Sequence, residues 1–234
     1  MQMNTPYLKS MDIHGFKSFE NPTHIDFSPK INVILEPHQT GKTNILDAIK
    51  WCLYDNRTLD SWGRNNSCGS DINFSEVQLT FCVEENNNSD TVIKRRITLN
   101  NHDTIIKNEC FINGEPVAEE FFAERLFTQG FLKQEVDLGR ILYGRMEETT
   151  YSNGVNIAIS RFLPTPLCMI DDSISPTDEQ FSQIITSMTK GLSETSQCIV
   201  VSQAKQIAME ADRIIGVTYE EDTLKVMELK RQSK

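Results

Sequence analysis

The 234-residue sequence contains no C-x-x-C pair, and none of its four histidines stands near a cysteine at metal-ligand spacing. A zinc finger or ribbon is thereby excluded. Six scattered cysteines (52, 68, 82, 110, 168 and 198) do occur, several of them inside apolar runs such as "LCMID" and "QCIVV". They are expected to be buried free thiols in a reducing compartment, not a disulfide frame. No signal peptide opens the chain, and no apolar run approaches the roughly 18 to 20 residues of a membrane span. The expectation is a cytoplasmic protein with no membrane contact. Positive charge is also scarce. A net charge of −10 argues against a surface coated for non-specific nucleic-acid binding. The local basic run Lys94-Arg95-Arg96 is read as the solvated end of a strand. Finally, nothing repeats internally and no heptad run exists, which excludes solenoids and coiled coils.

What is present is a soluble-protein composition, 38% hydrophobic and 24% charged, in a chain long enough for one large domain. The stretch "YLKSMDIHGFKSFENPTHIDFSPKINVIL" reads as three short strands separated by turns. A helix is expected from about Thr43 to Leu53, with Ile45, Leu46, Ile49 and Leu53 on one buried face. "SEVQLTFCVEE" alternates, with Val77, Leu79, Phe81 and Val83 on one side, and "NNNSD" at 86–90 reads as a turn or loop. Two more strands lie in "TVIKRRITL" and "CFING", and Asn113-Gly114 turns the chain. "EEFFAERLF" reads as helix, and 128–160 matches no pattern. Further on, "PLCMIDD" is an apolar strand ending in carboxylates. A helix opens at Thr177 with Gln180 at capping-box spacing. "QCIVVSQ" is a buried strand, "AKQIAMEADRI" a helix and "GVTYEEDTLKVMEL" a closing hairpin. The fold class is therefore α/β, β-rich at first and with parallel core strands in the second half.

Chemistry concentrates in two places. A phosphate-binding loop needs inward backbone N–H groups, a helix N-terminus behind them, a lysine for phosphate charge and a hydroxyl for magnesium. Gly41, Lys42 and Thr43 supply the end of the pattern G-x-x-x-x-G-K-[ST], which fails only at Glu36, where it begins. Glutamate restricts a turn that glycine permits, and Pro37 pushes Glu36 toward an extended backbone. The second place is the strand end Asp171-Asp172, where one carboxylate can hold magnesium through a water and the next can act as general base. Two acids ending a strand are, taken alone, more often a turn or a helix cap.

Together these segments resemble the head of the structural-maintenance-of-chromosomes (SMC) proteins, relatives of the RecF type. The opening segment through "GKTNILDAIKWCL", then "SEVQLTF" and "CFINGEPV", are similar to the family's N-terminal lobe. "LPTPLCMIDDSISPTDEQ" and "IVVSQAKQIAMEADRIIGVTYEE" are similar to its C-terminal lobe. The resemblance implies a single P-loop NTPase head of the ATP-binding-cassette type, with a β-rich N-terminal lobe and a RecA-like core. Its expected boundaries are an N-terminal lobe at 1–127, a junction at 128–160 and a C-terminal lobe at 161–234. It implies ATP and Mg2+ as ligands, with His38, Gln39, Thr40, Gly41, Lys42, Thr43 and Asn44 around the nucleotide. Thr43 and Asp171 would hold the metal, and Asp172 and Gln203 fall on the catalytic positions. It also implies a homodimer or pairing with another SMC-like head, and contact with DNA, which the acidic balance does not support.

The departures from the family pattern fall on its chemistry. The family's loop resembles G-P-N-G-S-G-K-S-N; here residues 36–44 read E-P-H-Q-T-G-K-T-N. The strand-end pair Asp-Glu has become Asp171-Asp172, and the switch histidine falls on Gln203. "LYGRMEE" at 142–148 resembles either the signature motif or the glutamine loop, with Tyr143 in the glutamine's place. An arginine common after the first helix falls near Leu59, with Arg57 close by. The family's coiled coil is replaced by a heptad-free stretch of mixed composition, which suits a naturally coil-less head, a redesigned head or a junction. Two readings follow: a degenerate head acting as an interaction or scaffold module in chromosome organisation, or a slow Mg-ATPase that dimerises on ATP and acts on DNA. An unrelated small P-loop kinase is the third and is disfavoured by the two-lobe resemblance.

Overall fold

The computed structural model describes residues 6–35, 42–54, 73–82, 90–100, 105–128, 166–171, 179–220 and 223–229. The first strands are β1 (Tyr7–His14), β2 (Thr23–Asp26) and β3 (Ile31–Leu35), followed by helix α1 (Lys42–Tyr54). Next come β4 (Phe74–Cys82), β5 (Thr91–Leu99), β6 (Ile105–Ile112), β7 (Glu115–Val117) and α2 (Glu119–Thr128). The second half supplies β8 (Leu167–Asp171), α3 (Glu179–Leu192), β9 (Gln197–Val201), α4 (Lys205–Glu210), β10 (Arg213–Glu220) and β11 (Thr223–Leu229).

Two sheets result. The first is antiparallel, in the order β2-β1-β4-β5-β6-β7. Alternation in β4 and β5 is the cause: Val77, Leu79, Ile93 and Ile97 face inward while Gln78, Thr80, Lys94 and Arg96 face the other way. The turn at Asn113 and Gly114 has φ of 54° and 82°, the left-handed pair that a two-residue hairpin takes. The second sheet has the order β11-β10-β3-β9-β8, with β10, β3, β9 and β8 parallel and β11 antiparallel at the edge. Its central strands "INVIL" and "QCIVV" are almost wholly buried and apolar except for Asn32 and Gln197, as suits strands covered on both faces.

Helix α1 lies between the sheets. Its expected apolar face is buried, and so are Ala48, Trp51 and Cys52. One core joins α1 to the inner faces of both sheets, from Leu8, Met11 and Leu79 on one side to Ile34, Ile199 and Val201 on the other. Each large side chain removed from water here contributes roughly 1.5–3 kcal/mol. The opposite phase of the parallel strands, Val33, Cys168, Ile170, Cys198 and Val200, packs against Ile185 and Leu192 of α3 and Ile207 of α4. The amphipathic α3 covers this face, as its spacing requires.

Two expectations are corrected. The helix expected over "AKQIAMEADRI" stops at Glu210, and Arg213 already belongs to β10. Asp212 ends it by hooking onto β3: its backbone N–H donates to the Ile31 carbonyl at 2.8 Å, and its carboxylate accepts the Ile31 N–H at 2.9 Å. The run Lys94-Arg95-Arg96 is not a solvated strand end. Lys94 and Arg96 both pair with Glu76 of β4, at 2.7 and 3.4 Å. Arg95 points the other way and is only 3% exposed, with its guanidinium against Trp51 and Phe122 and 3.4 Å from Glu119. Strand alternation inside a two-layer fold sends the middle residue of the run into the core. Five cysteines, at 52, 82, 110, 168 and 198, are buried free thiols, as expected. Val83, the "NNNSD" tract before Asp90, Cys68 and the Thr177 cap lie outside the described residues.

Candidate nucleotide site

The carboxyl ends of parallel strands are where open α/β sheets gather ligand chemistry. Here β3, β9 and β8 are adjacent and in register: Ile34 pairs Val201, and Val201 pairs Asp171. Two strand spacings, roughly 10 Å, separate the end of β8 from that of β3. The ladder continues one step beyond β9, where the Ser202 N–H donates to the Ile34 carbonyl at 3.2 Å. Ser202 is buried, and its hydroxyl accepts the Ala204 N–H at 3.1 Å. Gln203, held between these two fixed points, is exposed at the sheet's edge. Asp171 is half-buried at the end of β8, the strand next to Gln203's own.

Helix α1 follows β3 and begins at Lys42, so Lys42 and Thr43 form its first turn beside that edge. Helix N–H groups without intrahelical partners and the positive end of the macrodipole belong to this turn, which carries no acidic residue. Asn44 donates its side-chain amide to Ser18 Oγ at 2.8 Å. One turn on, Asp47 forms an ion pair with Lys17, whose side chain is about one-fifth exposed. Lys17 and Ser18 sit in the turn between β1 and β2, closed by hydrogen bonds from Gly15 N–H to the Phe19 carbonyl (2.7 Å) and from Phe19 N–H to the Phe16 carbonyl (2.9 Å). Ser75 Oγ, buried, donates to the Gly15 carbonyl and ties this turn to β4.

Asp171 thus ends β8 and Gln203 follows the end of the adjacent β9, while Lys42 and Thr43 open α1, the helix that follows β3 in the chain. His38, Gln39, Thr40, Gly41, Glu36 and Asp172 lie outside the described residues, as do Arg57, Leu59 and Tyr143. Lys17, Ser18 and Asp47 were not singled out from the sequence. A signal existed for Asp47, a lone acid inside the apolar helix "ILDAIKWCL", which burial obliges to find a partner. Among the described residues no group of three or more His, Cys, Asp and Glu could hold a metal unaided. A shallow depression near Asp212 and Glu228 lies at the start of β10, at the far end of the sheet.

A parallel sheet that ends beside the first turn of a buried helix, with an antiparallel sheet over that helix, defines an α/β RecA-like head of the ATP-binding-cassette class. The family model "RecF/RecN/SMC N terminal domain" matches residues 7–226, and the chain belongs to that family. A head domain from Thermotoga maritima SMC superposes with a TM-score of 0.67 at 23% identity, covering 96% of this chain and 100% of that one. An Smc head bound to the C-winged helix domain of ScpA gives a TM-score of 0.72 at 17% identity, over 96% and 98% of the two chains. Among curated proteins, the chromosome partition protein Smc of Fusobacterium nucleatum is 51% identical over 47 residues, 20% of this chain and 4% of that protein. The Bacillus subtilis protein of the same name is 27% identical over 154 residues, 61% of this chain. The chain spans 12% of the length of that relative. Among the described residues no helix is long and apolar enough to cross a membrane.

Proposed function

We propose that this chain is a degenerate SMC-type head with weak or no ATP hydrolysis, acting as an interaction or scaffold module in chromosome organisation or segregation. The observation that carries it is Gln203, a neutral amide at the end of the strand between β3 and β8. By the family resemblance this is the switch position, and an amide cannot take up a proton there at neutral pH. Asp172, one methylene shorter than the family's glutamate, and Glu36 at the loop's start add to the same conclusion.

The residues present fit a magnesium nucleotide in outline. Lys42 and Thr43 open α1 beside the sheet edge, and Asp171 stands at the neighbouring strand end. Lys42 would meet phosphate charge, with His38, Gln39, Thr40 and Gly41 supplying backbone donors. Thr43 and Asp171 would hold Mg2+, which when bound neutralises phosphate charge. Asn44, engaged with Ser18, would orient the helix start.

The second reading, a slow Mg-ATPase acting on DNA, rests on the retention of Lys42, Thr43 and Asp171. In both, 1–127 and 161–234 serve as lobes of one head, 128–160 takes the coil's place, and the setting is cytoplasmic. Partners would be a second head, of the same chain or another, and a protein of the kind that the ScpA-bound head engages. Calorimetric titration with Mg-ATP, beside Lys42→Ala, tests the proposal. Saturable heat lost in the variant, with no phosphate release above background, supports a binding-only head. Turnover that depends on Lys42 overturns it.

A further inference from the structure

Cys168 and Cys198 are register partners on the neighbouring parallel strands β8 and β9, so their side chains leave the sheet on one face, toward α3. Among the described residues no other two cysteines face each other across a strand pair. Neighbouring strands run roughly 4.7–4.9 Å apart, and a disulfide needs Cα atoms about 4.4–6.8 Å apart. The backbone is therefore already at bridging distance. Side chains that leave a sheet side by side keep that spacing at Cβ, just beyond the roughly 3.5–4.5 Å that a bridge prefers, so the bond would be strained and readily reduced. Both thiols are free and buried, and they share a hydrogen bond. Cys198 is wholly buried, its Sγ 3.8 Å from the carbonyls of Thr189 and Ser196. Cys168 keeps 6% exposure and lies on β8, the last strand of its sheet.

We propose that Cys168 and Cys198 are an oxidative modification site, closing to a reversible disulfide in the folded protein when it meets hydrogen peroxide. The Cys168 sulfur attacks the peroxide: an S–O bond forms, the O–O bond breaks, and the sulfur is oxidised to a sulfenic acid. The thiol proton leaves with the reduced oxygen as water. The Cys198 sulfur then attacks that sulfenic acid: an S–S bond forms, the S–O bond breaks, and the Cys198 proton leaves with the hydroxide as a second water. In sum, two thiols and one peroxide give one disulfide and two waters. Cys168 reacts first because it lies at the sheet's border, while Cys198 is enclosed beneath α3. Thiols kept protonated by burial react slowly, and a bulky disulfide reagent has no way in. Asp171 follows Cys168 on the same strand, so the bridge braces the end of β8 to β9. Nothing in this depends on whether the chain binds a nucleotide.

The test treats the folded, unaltered protein with hydrogen peroxide near neutral pH while its tryptophan fluorescence is followed. Samples are then alkylated, digested and mapped by mass spectrometry, beside Cys198→Ser. The expected result is a Cys168–Cys198 cross-linked peptide in most molecules while the fluorescence stays native, and its disappearance on incubation with glutathione. In Cys198→Ser, Cys168 is expected as a sulfenic or sulfinic acid with no bridge. Unmodified cysteines in the folded protein, or a bridge that forms only in denaturant, overturn the proposal. So does a bond from either thiol to Cys68, or sulfinic acid on Cys168 of the unaltered protein in place of the bridge. The map of the unaltered protein decides alone if Cys198→Ser does not fold.

Discussion

The side chain of Gln197 plays the part of a strand neighbour for Leu8. Its carbonyl accepts the Leu8 N–H at 2.8 Å, and its amide donates to the Leu8 carbonyl at 2.8 Å and to the Ser28 carbonyl at 2.8 Å. Gln197 opens β9 and is 1% exposed, so this one amide fastens the second sheet to the first. Gln197→Leu leaves the Leu8 N–H and carbonyl buried without these partners, while the Ser28 carbonyl keeps the Asn32 amide. At about 1–3 kcal/mol for each such group, a loss of roughly 3 kcal/mol in unfolding free energy is expected by urea titration. Gln197→Glu should cost more, since a carboxylate would face two carbonyls.

Arg95 is a buried cation whose stem is packed as tightly as its charge is paired. Arg95→Ala opens a cavity beside Trp51 and Phe122 and leaves Glu119 without this partner, for a loss of roughly 3 kcal/mol. Arg95→Met keeps the volume and removes the cost of burying charge, so it should recover at least half of that loss. Urea midpoints of the two variants give the comparison. Equal destabilisation would mean that the charge, and not the packing, holds α2 to α1.

His24 bridges Asp12 (2.6 Å) and Asp26 (3.2 Å) on the first sheet. The hydrogen bond to Asp12 raises its pKa above the ordinary histidine value, against the opposing effect of burial. A raised folded-state pKa means stability that is fully present below the unfolded value near 6.5 and lost as pH rises through the folded value. The histidine is more than half exposed, so after solvent screening the effect is roughly 0.5 kcal/mol. His24→Gln should therefore lower the urea midpoint at pH 5.5 and leave it nearly unchanged at pH 8.5. The opposite trend would refute a protonated clasp.

Burial pushes the Cys52 thiol up to about 12, and burial likewise raises Cys110. The Cys168 thiol beside it, together with burial, raises Cys198. Thiols held protonated inside the core should ignore a disulfide reagent at pH 8. The five buried cysteines are expected to react only after denaturation. Rapid native labelling of Cys198 would show that α3 lifts from the sheet.

If the site is assembled and only its chemistry is altered, Glu36→Gly with Asp172→Glu and Gln203→His should raise phosphate release by roughly two powers of ten or more. No gain, measured with Mg-ATP in excess, would place the deficit in a partner contact.

Elements whose residues repeat in register were legible in the sequence. The alternation of "SEVQLTF" and "TVIKRRITL" and the mainly apolar runs "INVIL" and "QCIVV" each became the strand they describe. What stayed hidden depends on pairs distant in the chain. Nothing local in "QCIVV" says that its first residue will bond Leu8, and nothing in "KRR" says which of three cations the core will take. Part of α4 was over-read because "AMEADRI" has helical composition, while Asp212 is needed to hook β3. At the candidate site, Lys42 and Thr43 stood out because the spacing of a phosphate-loop motif is local, and Asp171 because it ends an apolar strand; Gln203 came only from the family resemblance. The pairing of Lys17 with Asp47 was not legible because it joins a turn of the first sheet to a helix 30 residues further along the chain.

The central strand β3 is flanked on one side by β9 and on the other by β10, both from the last part of the chain. During synthesis at cellular rates, roughly ten to thirty seconds separate the appearance of "INVIL" from that of its neighbours. Throughout that interval a strand destined for full burial has neither edge occupied. The antiparallel sheet, whose strands follow one another closely, can form while it waits. The newborn chain is thus a half-built fold with a sticky seam, and any delay in translating the second half prolongs its exposure to the wrong partner.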